Sequence, residues 1–205
     1  MRKITLGVLI SGSGTNLQAI IDECESGEFP AEVGVVISSR EDAYGLDRAK
    51  SRKIRHFWVD RAGFDTNEDF DLDIAKKLQD CDVDLVVLAG YMRLVGPAIL
   101  DAYPNAVINL HPSLLPAFPG GNAVSDALEY GTKVTGITVH FADSTYDTGP
   151  IILQEIVPVH QEDDEEALFR RIHKTEHRFL PYAIKLWATG RLKVEGRRVT
   201  ILPAT

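Results

Sequence analysis

The chain has 205 residues, of which 44% are apolar and 25% charged, with a formal net charge of −8. That length suits one α/β domain with a sizeable core, and the acidic balance argues against a general nucleic-acid-binding face, which needs clustered Lys and Arg. Two distant cysteines, Cys24 and Cys81, give neither metal-ligand spacing nor a disulfide framework, and no run approaches the ~18 apolar residues of a membrane span.

Along the chain, short apolar runs alternate with helical patterns. "KITLGVLI" (3–10) reads as a strand that breaks into a Gly/Ser loop, without the h-region of a signal peptide. "NLQAIIDECESG" (16–27) reads as an amphipathic helix ending at Gly27. A strand at 31–39, a helix near 43–52, a short strand at 55–59 and a helix near 67–79 follow. "VDLVVLAG" (83–90) is apolar nearly throughout, as a central parallel strand covered on both faces would be. A short helix near 96–102 precedes the strand "AVINL" (106–110).

This order predicts an α/β fold: a doubly wound, mostly parallel sheet that binds ligands outside the C-terminal strand ends. Beyond residue 132 two alternating strands, 134–143 and 150–159, predict a mixed or antiparallel C-terminal part. A long helix near 164–188, opened by "QEDDEEA", and a small terminal hairpin complete the chain. With no repeat or linker in view, residues 1–205 are expected to form a single domain, and the composition suggests a cytoplasmic protein with reduced thiols.

Three stretches carry the candidate chemistry. In "ISGSGTNLQAI" (10–20) the amides of Gly14, Thr15 and Asn16 fall at a helix N-terminus, a ready phosphate site. The loop has Leu17 in place of a third glycine and has no P-loop lysine, so a monophosphate suits it better than a dinucleotide. The same residues also read as a turn capped by Thr15 or Asn16. In "LAGYMRLVG" (88–96), at the end of a central strand, Arg93 suits a carboxylate or a surface role. Met92, Leu94 and Val95 suit a flat aromatic ligand or the core.

"VINLHPSLLP" (107–116) places Asn109 and His111 on one strand face, about 7 Å apart. An amide donor and an imidazole there could serve chemistry or structure. Asp147, in "STYDTGP" after a strand that holds His140, is a turn residue or an orienting carboxylate. Folded against His111, it would favour the imidazolium and raise the ring's pKa. No Ser or Cys sits in a nucleophile elbow, and the six His residues show no metal spacing.

In order and spacing, "ISGSGTNLQAIID", "LAGYMR", "INLHPSLLP" and "HFADSTYDTGPIILQ" resemble the folate-dependent formyltransferases over essentially the whole chain, and the N-terminal "SGSGTNLQA" resembles their glycinamide ribonucleotide branch. The resemblance implies direct formyl transfer from the co-substrate 10-formyltetrahydrofolate to the glycyl amine of the ribonucleotide, in purine synthesis, without a metal. It makes Asn109 the hydrogen-bond donor to the developing oxyanion and His111 the proton donor. Asp147 holds the ring protonated or positions a water.

By the same resemblance Gly14, Thr15 and Asn16 bind the substrate phosphate and Glu176 its glycinamide end. Met92, Arg93, Leu94, Val95, Asn109 and the loop from Asp143 to Asp147 bind the folate. The implied partners are these small molecules alone, not nucleic acid or membrane, with the protein a monomer or homodimer. Asn122, Asn67 and His173 depart from the pattern: relatives often carry His or Asp, Arg, and Gln there, respectively.

Within the fold the rivals are a formyltetrahydrofolate hydrolase, which releases formate without an acceptor, and a tRNA formyltransferase. The latter carries a further C-terminal domain, whereas this chain ends at Thr205. A dinucleotide-binding domain would need an acidic residue ending strand two, where "SSRED" leaves the matter open. A non-catalytic folate sensor would be expected to lack Asn109, His111 or Asp147.

Overall fold

The structure, a computed structural model, describes residues 3–27 and 29–204. The expected single domain therefore extends, at Met1, Arg2, Glu28 and Thr205, to residues outside those described. Strands β1 (Ile4–Ile10), β2 (Ala31–Ser38), β3 (Arg55–Trp58), β4 (Leu85–Leu88) and β5 (Val107–His111) pair in parallel in the order β3-β2-β1-β4-β5. β6 (Val134–Phe141) and β7 (Ile151–Pro158) continue the sheet antiparallel. All four residues of β4 are buried, as expected of a strand with elements on both faces.

The helices are α1 (Thr15–Glu25), α2 (Tyr44–Ser51), α3 (Asn67–Gln79), α4 (Pro97–Leu100), α5 (Ala123–Tyr130) and α6 (Glu165–Ala188). α6 lies against β6 and β7 and touches α1 and α5, whereas α3 and α4 pair with each other. Crossovers carry the chain from β1 outward to β3, then back to β4 on the other side of β1. The connections diverge between β1 and β4, which leaves a crevice at the ends of those strands.

Two features differ from the sequence expectation. The terminal hairpin, β8 (Leu192–Glu195) and β9 (Arg198–Ile201), does not stand apart: β9 pairs with β7 at Ile151 and Arg198, giving a nine-stranded sheet. α5 was not anticipated. Ala123, Val124 and Ala127 are its buried face, and Gly131 ends it at φ 79°. Two turns are too short for periodicity to stand out, but that spacing with a following glycine is the signal that marks it.

Candidate active site

A cavity of about 550 Å³ opens at the C-terminal ends of β1, β4 and β5. The candidate site residues named above border it: Gly14, Thr15, Asn16 and Glu176, Met92, Arg93, Leu94, Val95, Asp143 and Asp147, and Asn109 and His111. Parallel strands direct their carboxyl ends to one edge of the sheet, so segments up to 160 residues apart meet there.

The Gly-rich turn owes its shape to close approach. Gly14 has φ 68°, and a Cβ there would lie 2.7 Å from Cα of Gly45 at the start of α2. Gln18 N–H makes the first helical bond, to the Gly14 carbonyl, so the preceding amides of α1 have no carbonyl within the helix. No side chain caps this terminus. The capped-turn reading is thereby overturned: the residue at the cap position is Gly14, and no side-chain oxygen accepts the exposed N–H groups. Arg48 of α2 braces the loop, donating from Nε to the Ser13 carbonyl at 2.8 Å and from Nη1 to Gln18 Oε1 at 3.2 Å. A contact across 35 residues leaves no mark in the local sequence.

Asn16 donates from Nδ2 to Glu176 Oε2 at 2.9 Å, and both residues are buried. Asn16 Oδ1 has no hydrogen-bond partner. Burial pushes the Glu176 carboxyl above its ordinary pKa, opposed by the Asn16 bond and the charge of His173. A buried carboxylate and an orphaned amide oxygen both bordering the cavity are acceptors that call for a donor, such as an amine or a hydroxyl. His173, whose Nε2 lies 3.8 Å from Glu176 Oε2, also lines the cavity and stacks on His177.

Asn109 and His111 sit on the last turn of the β5 pleat, facing the loop after β6. Asn109 donates from Nδ2 to His140 Nε2 at 3.0 Å and to Asp147 Oδ1 at 3.3 Å. His140 lies within hydrogen-bond distance of the Phe141 carbonyl through Nδ1, and a carbonyl only accepts, so the ring proton belongs on Nδ1 and Nε2 is the acceptor. That fixes which way the Asn109 amide points. His140, buried and spaced two residues before Ala142, is the positioning residue that sequence reasoning passed over; its cross-strand register with Asn109 is the signal.

His111 donates from Nε2 to the Phe118 carbonyl at 2.8 Å, and its Nδ1 lies 3.4 Å from Asp147 Oδ2. Asp147 itself adopts φ 57°, tolerated by Asp better than by most residues, and accepts the Gly120 N–H at 2.8 Å. Two residues on, a Cβ at Gly149 would fall 1.7 Å from the Phe141 carbonyl, so the loop returns to β7 only through a glycine.

The structure thus brings Asp147 against His111, but the net shift is opposite to the one expected. Burial depresses the His111 pKa below its ordinary value, and the Phe118 bond and the Asp147 charge only partly offset it. For Asp147, burial acts upward. Its contacts with His140, Gly120 and His111 outweigh that and leave the carboxyl below its ordinary value. The resting pair is a carboxylate beside an imidazole that favours its neutral form.

Residues 89–95 also line the cavity. Ser11, buried at the end of β1, accepts the Met92 N–H at 2.9 Å and shares a 2.7 Å hydrogen bond with Ser39, tying this loop to the Gly-rich turn. Met92 is 70% exposed and Leu94 39%, whereas Val95 is buried. An apolar side chain left in water beside a cavity is available to a flat ligand. Of the departures noted above, Asn122 is exposed at the start of α5 and is not part of the cavity wall, and Asn67 lies beyond Arg93. Among the described residues no His, Cys, Asp and Glu cluster has the makings of a metal site, and no helix is long and apolar enough to cross a membrane.

Residues 4–184 match the formyl transferase family. A phosphoribosylglycinamide formyltransferase of Haemophilus influenzae is 44% identical over 195 residues, covering 95% of this chain and 91% of that protein. The crystal structure of glycinamide ribonucleotide transformylase 1 from Symbiobacterium toebii superposes with a TM-score of 0.96 at 56% identity, covering 98% of this chain and 95% of that one. A formyltetrahydrofolate deformylase from Pseudomonas syringae superposes with a TM-score of 0.91 at 25% identity, covering 98% of this chain and 67% of that one.

Proposed function

The chain belongs to the formyl transferase family, and from that premise we propose that it moves the formyl group of 10-formyltetrahydrofolate onto the glycyl amine of N1-(5-phospho-D-ribosyl)glycinamide, a step of purine synthesis. The relatives named above support the reaction. The observation that carries it here is that one cavity is lined together by the Gly-rich turn and Glu176, by the 92–95 segment, and by Asn109, His111 and Asp147.

At the ribonucleotide end, the α1 amides at Gly14, Thr15 and Asn16 take the phosphate, and Glu176 with the orphaned Asn16 oxygen takes donors near the glycinamide group. At the folate end, Met92, Leu94 and Val95 pack against the flat ring system. Arg93 and the 143–147 loop supply polar contacts. The amine then meets the formyl carbon beside the end of β5.

The chemistry follows from what the three central side chains can hold. As the amine nitrogen bonds to the formyl carbon, the carbonyl oxygen gains negative charge, and Asn109 gives it an N–H in exchange for the long 3.3 Å contact with Asp147. The attacking nitrogen must lose a proton and the folate nitrogen must gain one when its bond to carbon breaks. A neutral His111 keeps its Nε2 proton on the Phe118 carbonyl, so it accepts the first proton at Nδ1 and returns it from there for the second. Asp147 stabilises the imidazolium in between through Nδ1. No covalent enzyme intermediate is required. The free thiols, Cys24 and Cys81, are not part of the cavity wall, and the Ser113 hydroxyl is buried and donates to the Ala117 carbonyl.

The test is an absorbance assay with 10-formyl-5,8-dideazafolate, with and without the ribonucleotide. Deformylation that requires the ribonucleotide is the expected result. Deformylation at the same rate without it would replace the transferase reading with a hydrolase.

A further inference from the structure

Three successive carbonyls of the Gly-rich turn are spent on donors. The Gly12 carbonyl accepts the Gly45 N–H at 3.1 Å, the Ser13 carbonyl accepts Arg48 Nε at 2.8 Å, and the Gly14 carbonyl accepts the Gln18 N–H at 2.9 Å. The first two donors belong to α2, and Arg48 does not line the cavity. No cis peptide falls in this turn, and across a trans peptide the C=O and the following N–H point in opposite directions. A carbonyl drawn toward α2 therefore sends the N–H of the next residue, Ser13 or Gly14, the other way. Among the described residues neither N–H has a hydrogen-bond partner, and both residues border the cavity.

Arg48 is the charged member of this clamp. Its Nη1 donates to Gln18 Oε1 at 3.2 Å, Gln18 Nε2 donates in turn to Asp22 Oδ1 at 2.7 Å, and the guanidinium lies over the Tyr44 ring at 4.8 Å. Two acceptors and an aromatic face thus hold a planar fork against the turn. Among the described residues Arg48 has no carboxylate within ion-pair distance, so no salt bridge cancels its charge. A charged donor on a carbonyl polarises the whole peptide, and hydrogen bonds in a chain strengthen one another by about 10–30%. The Gly14 N–H, at the other end of the Ser13–Gly14 peptide, is the donor that gains. The cavity side itself calls for a ligand: Asn16 borders it, is 9% exposed, and keeps Oδ1 without a partner.

We propose that Arg48 is a positioning residue of this enzyme: by holding the Ser13 carbonyl toward α2 it turns the Gly14 N–H to the ribonucleotide's phosphate and polarises that N–H toward the anion. This rests on the reading above in which the Gly-rich turn takes the phosphate. Arg48 acts through the peptide and does not touch the substrate. With its bond gone, the Ser13–Gly14 peptide is free to flip, and a flipped carbonyl would set an acceptor where the phosphate needs a donor. The Gly12 carbonyl is set in the same way by the Gly45 main chain, which any residue there would supply. Arg48 is therefore the part of the clamp that depends on side-chain identity.

The experiment measures calorimetric binding of ribose 5-phosphate, and kinetics with the ribonucleotide and with its dephosphorylated ribonucleoside, in the intact protein and in Arg48→Ala. The expected result is a ribose 5-phosphate Kd and a ribonucleotide KM each raised about tenfold, the scale of one charge-assisted contact. The folate KM, kcat, and kcat/KM for the ribonucleoside should move less than twofold. Arg48→Lys keeps the charge and reaches one acceptor in place of two, so its loss should be about threefold and again confined to the phosphate-bearing compounds. If Arg48→Ala does not fold, the lysine variant decides by the same comparison. Equal losses with and without the phosphate would mean that Arg48 only braces the turn, and an unchanged Kd would remove it from the site. Both results overturn the proposal. Should the intact protein transfer no formyl group, the proposed reaction falls, and the ribose 5-phosphate Kd still decides the role of Arg48. An intact protein that does not bind ribose 5-phosphate would overturn the phosphate site and this role with it.

Discussion

His111 Nδ1 lies 3.4 Å from Asp147 Oδ2, yet the imidazole is held below its ordinary pKa rather than above it. Burial penalises the cation more than the neighbouring carboxylate rewards it. The arrangement suits a proton carrier better than a fixed cation, because the ring rests neutral at physiological pH and finds its counter-ion in place when charged.

Replacing His111 removes the carrier. His111→Asn should lower kcat by about 10²–10⁴, the usual contribution of a positioned acid-base group. Ribonucleotide affinity by calorimetry should stay within a few fold. A variant with near-normal kcat would leave the imidazole with only its bond to Phe118.

Asp147→Asn removes a charge that raises the His111 pKa, so that pKa falls further. If His111 must be neutral to accept the amine's proton, the acid limb of kcat/KM should move to lower pH. kcat itself should fall, because the imidazolium formed during transfer has lost its partner. A limb that stays in place, measured between pH 5 and 8, would separate Asp147 from the titration.

The same groups make the fold acid-sensitive. Relative to the unfolded chain, His111 and Asp147 both have lowered pKa values, so the unfolded state binds more protons as pH drops. For His111 the loss begins as pH falls below the ordinary value of 6.5. For Asp147 it begins below 3.8 and is complete once pH has passed through the lowered value. Thermal midpoints from pH 8 down to pH 3 should decline in that order, with the upper part of the decline missing in His111→Asn.

Glu176 has the opposite sign. Its raised pKa means that the ionised form burdens the free protein: the stability it contributes is full below pH 4.5 and is lost as pH rises through the folded value. Glu176→Gln keeps an acceptor for Asn16 and removes the charge. It should raise the midpoint at pH 8, by about 2–4 °C for each kcal/mol relieved, and raise the ribonucleotide KM by at least tenfold. A variant less stable than the parent would contradict the burial penalty.

Gly14→Ala should harm both binding and stability. The Cβ would press on Gly45 and the residue would keep φ 68° only with strain, a cost of about 1–3 kcal/mol. Its ribonucleotide KM should rise while the KM for the folate changes little. Equal changes in both would argue against a phosphate site at this turn.

How much of this was legible beforehand depended on the range of each interaction. The unbroken apolar run at 85–88, the Gly/Ser break after β1 and the polar pair in "INLH" are local facts. Local hydrophobic periodicity and strand alternation were enough to place Asn109 and His111 on one face at the ligand edge of a parallel sheet. The antiparallel turn of the sheet after β5 was legible for the same reason. The small helix α5 was not, because two turns carry too little periodicity, nor was the docking of β9 on β7, which depends on backbone groups that look alike in every sequence.

What only the tertiary structure decided is how those residues spend their hydrogen bonds. Asn16 turned from a helix cap into the partner of Glu176 across 160 residues. His140 became the residue that orients Asn109, and burial reversed the sign of the His111 shift that a neighbouring Asp147 alone would give. Sequence order determines which side chains share a face. Desolvation and hydrogen-bond partners depend on everything packed around a group, and those neighbours are assembled only when distant segments fold onto the same strand ends.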